Sequence, residues 1–179
     1  FAAEAQIVRE LGKFLMNGSL VKGAKPVLWS VVEKTALAEA EVEYDDHKST
    51  QVWVRFPVAT PGKPELKDAS VVIWTTTPWT LPGNRAVAFG KDMDYVLVEV
   101  VSIEEGSLAE GGQSLIVAKA LLLSVIEAAG VTKHKIVHRF KGAELAGTIC
   151  RHPFHGQGYD FEVPLVKGFH VTTETGTGF

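Results

Sequence analysis

Cysteine is almost missing from this 179-residue chain: Cys150 stands alone. A disulfide framework and a Cys–Cys metal pair are therefore excluded, and the usage fits a reducing, cytoplasmic interior. A basic surplus is missing too. Eighteen Lys and Arg stand against 21 Asp and Glu, a formal charge of −3, so the chain does not hold nucleic acid through a broad basic face and any RNA contact must be local. No apolar run approaches the roughly 20 residues of a membrane helix, and the amino end lacks the charged-then-apolar layout of a signal peptide, so no membrane partner is expected. There is no G-x-G-x-x-G, no Walker loop and no strand–helix–strand rhythm, which excludes ATP chemistry from this segment. An initiator Met is also absent; the chain opens within a helical pattern and stops after a Gly-Thr-Gly turn, as a piece cut from a longer protein would.

Apolar residues at Ile7, Val8, Leu11, Phe14 and Leu15 fall on one face of a helix over Phe1–Asn17, with Gly18 as its stop. With the strand candidate Lys25–Ser30 it forms an expected stalk and linker strand over residues 1–30. Residues 31–179 are expected to form the working domain. Glu39–Val58 reads as two strands joined by the polar turn Asp45–Thr50, a hairpin. A second helix is expected over Ala118–Ala129, closed by Gly130. The rest alternates short strands with Gly and Pro. The fold class predicted is α+β, mainly β: a curved antiparallel sheet or barrel-like domain with peripheral helices.

The stretch Val71–Asn84, "VVIWTTTPWTLPGN", carries the chemistry. A buried strand runs into three threonines, and Pro78 must then break the hydrogen-bond ladder, releasing polar groups at a sheet end where sites are commonly built. Alternation places Thr75 and Thr77 on one face and Thr76 on the other. As β-branched residues they could simply finish a strand. As a site they can orient water or an ester, but no adjacent base makes them nucleophiles. Elsewhere, Cys150, His152, His155 and Asp160 imitate a zinc set without a second paired ligand group. His134 and His138 are expected on one solvated strand face, and the acidic run Glu39–Asp46 as the wet face of a strand.

The threonine-rich peptide resembles that of the editing domain of isoleucyl-tRNA synthetases, the connective-polypeptide insertion of that class I family. "KPVLWS" with "TALAEAEVEY", "HPF" with "GYDFEVPLV", and "HVTTETGTGF" agree with it, so the resemblance covers essentially the whole chain. Sister editing domains of valine and leucine enzymes carry an arginine-proline-acid sequence after the threonines, where this chain has Thr77-Pro78-Trp79. Ser30, Val31 and Val32 stand where many relatives have cysteines, which removes any case for a metal there.

The resemblance implies an aminoacyl-tRNA deacylase that hydrolyses valine misattached to the isoleucine tRNA, within a parent enzyme that ligates isoleucine using ATP and Mg. No cofactor is expected in this segment. The need is physical: one missing methylene gives only about 1–3 kcal/mol of discrimination, a magnitude for which isoleucine–valine selection is itself the worked example, so a second site must destroy the smaller product. By the family pattern Thr75, Thr76 and Thr77 orient water and ester, and Trp79 shapes the side-chain wall. Thr80 and Asn84 line the site, and Gly176, Thr177 and Gly178 form the facing turn. The implied partners are the tRNA acceptor end carrying valine and the rest of the synthetase chain. Relatives continue into a Val-His-x-Ala-Pro segment and an aspartate that holds the α-ammonium, so the chain stopping at Phe179 is expected to fold without hydrolysing. The alternatives are a non-catalytic acceptor-end binding fragment and a sister synthetase's editing domain.

Overall fold

The helix expected at the start forms as α1, Ala2–Met16. Glu4 in its first turn and Lys13 in its last complement the helix dipole, and Glu10 accepts from Gln6 Nε2 at 2.7 Å and from Lys13 Nζ at 2.7 Å. None of its residues is buried. The computed structural model describes residues 1–179 and divides them into two units, Phe1–His47 and Lys48–Phe179. In the first unit α1 is followed by a two-stranded ribbon, β1 (Trp29–Ser30) antiparallel to β2 (Thr35–Ala36).

The expected hairpin over Glu39–Val58 does not form. Glu39–Glu41 is a short 3₁₀ turn whose Glu41 carboxylate accepts the Ala38 N–H at 2.7 Å, and Val42–Gln51 carry no strand. Only the second half becomes a strand, β3 (Val52–Thr60), and it pairs with β4 (Ala69–Thr75) instead. The reason is burial: the apolar run Ala69–Ile73 is a far better partner than the acid-rich segment before it.

The second unit is built on one eight-stranded sheet. Its other strands are β5 (Val87–Phe89), β6 (Asp94–Ile103), β7 (Ser114–Ala118), β8 (Val131–Lys141), β9 (Ile149–Arg151) and β10 (Glu162–Lys167). The order is β5-β10-β9-β3-β4-β7-β6-β8. The sheet is mixed: β4 runs parallel to β7 and β5 parallel to β10, the other pairs being antiparallel. The α+β, mainly β class is as expected, and the antiparallel character holds for most pairs; the two parallel pairs went unforeseen because periodicity does not reveal strand direction.

Alternation along β4 feeds two cores. Val71 and Ile73 join Phe56, Leu97, Ile116 and Leu165 on one face. Val72 joins Val96, Val98 and Val117 on the other, covered by Leu122, Val125 and Ile126 of α2 (Leu122–Ala128). Each such side chain contributes about 1.5–3 kcal/mol when fully buried, so β4 is anchored on both sides as far as Ile73. His134 and His138 differ from expectation. Both are half-buried, and they do not share a face: His138 pairs with Leu97 and stacks on Phe140 at 5.8 Å on the side of the first core, whereas a register shift after it puts His134 opposite Val100, on the side of Ile136 and the second core.

Candidate functional site

The last strand residue of β4 is Thr75, which points to the same side as Val71 and Ile73. Its Oγ1 accepts the Thr77 N–H at 3.0 Å, which turns the chain. Pro78 then occupies the first position of a 3₁₀ segment, Pro78–Gly83; its missing N–H costs nothing there. Alternation therefore stops before Thr77, which does not share a strand face with Thr75. The Thr77 carbonyl accepts both the Thr80 N–H (3.0 Å) and the Thr80 hydroxyl (2.7 Å). The Thr75 hydroxyl proton and the Thr80 oxygen lone pairs stay available.

These hydroxyls open into a cleft of about 220 Å³ lined by Ile73, Trp74, Thr75, Thr80, Asn84, Ala86, Val87, Ala88 and Phe179. No ionisable side chain is among them. The cleft can orient a polar ligand, but it holds no group that takes a proton near neutral pH.

The opposite wall rests on the glycine turn. The Tyr95 hydroxyl donates to the Gly178 carbonyl at 2.6 Å and accepts the Gly90 N–H at 3.0 Å; burial pushes its pKa up. The Ala118 N–H donates to the Thr177 carbonyl at 2.9 Å, and Phe179 packs on Tyr95 with centroids 4.9 Å apart. Gly178 has φ +86°, and a Cβ there would lie 2.3 Å from Ala118 Cβ. Only glycine fits. Gly176, at φ +79°, faces the Trp74 ring, and the Thr177 hydroxyl is buried without a partner.

Of the residues singled out in the sequence, Thr75, Thr80 and Asn84 meet in the cleft. Thr76 and Thr77 are half-buried beside it without lining it, and Trp79 is 73 % exposed on the turn. Gly176, Thr177 and Gly178 stand behind Phe179 and Trp74 as supports. Sequence reasoning missed Phe179, whose signal was its place directly after the glycine turn. It also missed Ala86 and Ala88, small residues at alternate positions around Val87.

The zinc look-alikes are placed differently. Cys150 is buried, its thiol pushed up to about 12 by burial, and both ring nitrogens of His152 are engaged with backbone groups. His155 Nδ1 lies 3.2 Å from the Asp160 carboxylate at the surface.

Comparison with known proteins adds a family pattern. Residues 1–172 match the model described as tRNA synthetases class I (I, L, M and V). The isoleucine–tRNA ligase of Pelagibacter ubique is 52% identical over 178 residues, covering 99% of this chain and 19% of that protein. That of Bradyrhizobium diazoefficiens is 54% identical over 181 residues, covering 100% and 18%. The chain thus spans about a fifth of the length of these curated relatives. Among solved structures, GlLeuRS-CP1 superposes with a TM-score of 0.53 at 11% identity, over 72% of this chain and 52% of that one, a likeness of fold.

Proposed function

The chain belongs to the class I tRNA synthetases (I, L, M and V), and from that premise we propose that its cleft is the editing site of an isoleucine-specific member, hydrolysing valine misattached to the isoleucine tRNA. The observation that carries this reading is the meeting of Thr75, Thr80 and Asn84 in one uncharged cleft where β4 ends. The isoleucine specificity is supported by the relatives, and the editing role by the fold shared with a CP1 domain.

In this reading the tRNA acceptor end enters with its terminal ester. The free Thr75 hydroxyl proton donates to the ester carbonyl oxygen, and Thr80 Oγ1 and the Asn84 side chain orient the attacking water. The water oxygen bonds to the carbonyl carbon, the bond from that carbon to the ribose oxygen breaks, and the water's proton ends on the departing ribose oxygen. Valine leaves as the free acid. Positioning supplies the rate, since the cleft offers no base. Ile73, Val87 and Phe179 bound the space for the side chain, so isoleucine's extra methylene is refused by volume. Thr76 and Thr77 lie next to the cleft in the chain without lining it, and in this reading Trp79, exposed on the turn, forms a further wall once substrate is seated. The step uses neither nucleotide nor metal from this segment; ATP and Mg serve the ligation reaction in the remainder of the synthetase chain. No helix is long and apolar enough to cross a membrane, and the reading places the reaction in the cytoplasm.

The test is amino-acid release from valyl- and isoleucyl-tRNA(Ile) by the full-length synthetase carrying this segment. Valine should be released and isoleucine spared. Thr75→Ala and Thr80→Ala should each slow valine release by about two- to tenfold, the worth of one oriented hydrogen bond, with the fold intact. Trp79→Ala should raise isoleucine release. Undiminished valine release in both threonine variants would remove the cleft from the reaction, and tRNA binding without release would make the segment a docking module.

A further inference from the structure

His152 is one of the few buried polar residues, 1 % exposed, and the cleft does not contain it. Its ring lies within an aromatic nest, 5.2 Å from Tyr159 in a stacked pair, 5.0 Å from Phe161, 5.4 Å from Phe154 and 6.1 Å from Phe56. A hydrophobic side chain would suit such a nest better, unless the imidazole's polar edges are used. Both are. Nδ1 lies 3.1 Å from the Phe154 backbone N, an N–H that can only donate, so Nδ1 accepts and the ring proton sits on Nε2. Nε2–H then donates to the Leu81 carbonyl at 2.8 Å.

Leu81 belongs to the Pro78–Gly83 segment, immediately after Thr80 and three residues before Asn84. The same nest grips the chain again just beyond Asn84, where the Arg85 guanidinium carbon lies 3.6 Å from the Phe161 ring centroid. The two attachments, at Leu81 and Arg85, bracket Asn84. Thr80 adjoins the first. Between them Pro82 has no N–H to give, and the turn's own bond there is from the Asn84 N–H to the same Leu81 carbonyl at 3.0 Å, so the acceptor that His152 holds is also the one that holds Asn84.

We propose that His152 is a positioning residue for the cleft: its Nε2–H bond to the Leu81 carbonyl fixes the Pro78–Gly83 turn so that Thr80 and Asn84 face Thr75. This rests on the reading of the cleft as a hydrolytic site. The Cys-x-His spacing that imitates a metal motif thereby acquires a role, as a clamp on the site from outside it.

The test compares two variants that both delete the ring. In His152→Gln the side-chain amide nitrogen reaches as far as Nε2 and can still donate to Leu81. In His152→Asn the shorter amide can replace only Nδ1, so the Phe154 bond is kept and the Leu81 bond is lost. Two measurements follow on the full-length synthetase: kcat and KM for valine release from valyl-tRNA(Ile), and backbone hydrogen exchange across residues 77–84. Both variants should lose comparable thermal stability. His152→Gln should keep kcat within about threefold of wild type, whereas His152→Asn should lower it about tenfold or more at unchanged KM. Exchange across 77–84 should quicken in the Asn variant and stay protected in the Gln variant. Equal kcat values, or equal exchange, in the two variants would overturn the proposal. Absence of valine release by the wild type would sink the functional reading instead; the exchange comparison would then still decide whether His152 sets the turn.

Discussion

Replacing Gly178 by alanine perturbs the wall of the cleft without touching its polar groups. Two costs arise. A non-glycine residue held at φ +86° carries the left-handed penalty of about 1–2 kcal/mol. The new Cβ would sit 2.3 Å from Ala118 Cβ, well inside the optimal carbon–carbon separation of about 3.5–4.0 Å, and relieving such overlap in a packed region costs about 1–3 kcal/mol. The turn can instead withdraw from Ala118. It then loses the Ala118–Thr177 and Tyr95–Gly178 hydrogen bonds, about 0.5–1.5 kcal/mol each, together with the Phe179–Tyr95 ring contact, about 0.5–1.5 kcal/mol. The first route costs about 2–5 kcal/mol and the second about 1.5–4.5 kcal/mol. At about 3 °C per kcal/mol for a chain of this size, the melting temperature should fall by about 5–15 °C. Gly176→Ala is the control: its φ of +79° is equally unfavourable, but its Cβ would meet only Trp74 Cε3 at 3.6 Å, an ordinary contact. It should cost about 1–2 kcal/mol. Thermal unfolding of the two variants under identical conditions separates steric from backbone cost, and equal melting temperatures would refute the argument that Ala118 is what forbids a side chain at Gly178.

Cys150 should be inert to a thiol reagent at pH 8 in the folded chain, because burial pushes its thiol up to about 12 and keeps the reagent out; labelling should track unfolding as denaturant is added, and rapid labelling of native protein would contradict the placement. The Asp94 carboxylate is held below its ordinary value by a hydrogen bond from Lys141 and then by that ammonium's charge. The pair's contribution is therefore fully present above the unfolded carboxylate's titration, near pH 3.8, and is lost as pH falls through the lowered folded value. Asp94→Asn should differ from wild type by a constant amount above about pH 5, converge with it in stronger acid, and differ less at high salt because the pair is exposed. A gap that widens on acidification would reverse the sign of this assignment.

The sequence announces β4 clearly because a run of apolar β-branched residues ending at a proline has few other readings, and the end of α2 because its apolar spacing stops at Gly130; its start was read too early, since Ala118 closes β7 and Lys119–Leu121 form a 3₁₀ turn before the helix begins at Leu122. The cleft was legible in part. Thr75, Thr80 and Asn84 are local to one motif, and local chemistry survives without knowledge of the fold. Phe179 is held there by the bonds of the preceding turn to Tyr95 and Ala118, and His152 by its place after β9, contacts between distant segments that no local spacing encodes. The lost hairpin has a related cause. Residues 39–46 alternate as a strand should, yet alternation says only that a segment is able to pair, and β3 found deeper burial against Ala69–Ile73. His134 and His138 were misplaced because the register shift between them in β8, which divides them between the two faces of the sheet, has no signature in their spacing.

The two parallel pairings bear on how the chain reaches its native state. Val71 must find Ile116 before β4 has both neighbours, and Val87 must find Leu165 before the edge strand β5 has its one. Contacts so far apart in sequence are slow to form, because each closes a long loop before it gains any burial. A growing polypeptide therefore carries Val71–Ile73 uncovered until Ser114–Ala118 has been made, and cannot complete the β5 side until Glu162–Lys167 follows. Any partly folded species is then sticky and chemically silent at once. Hydrolysis, once measured, becomes a stringent readout of complete assembly, and mutations that slow strand pairing should deplete active molecules through aggregation while those that do fold work at full rate.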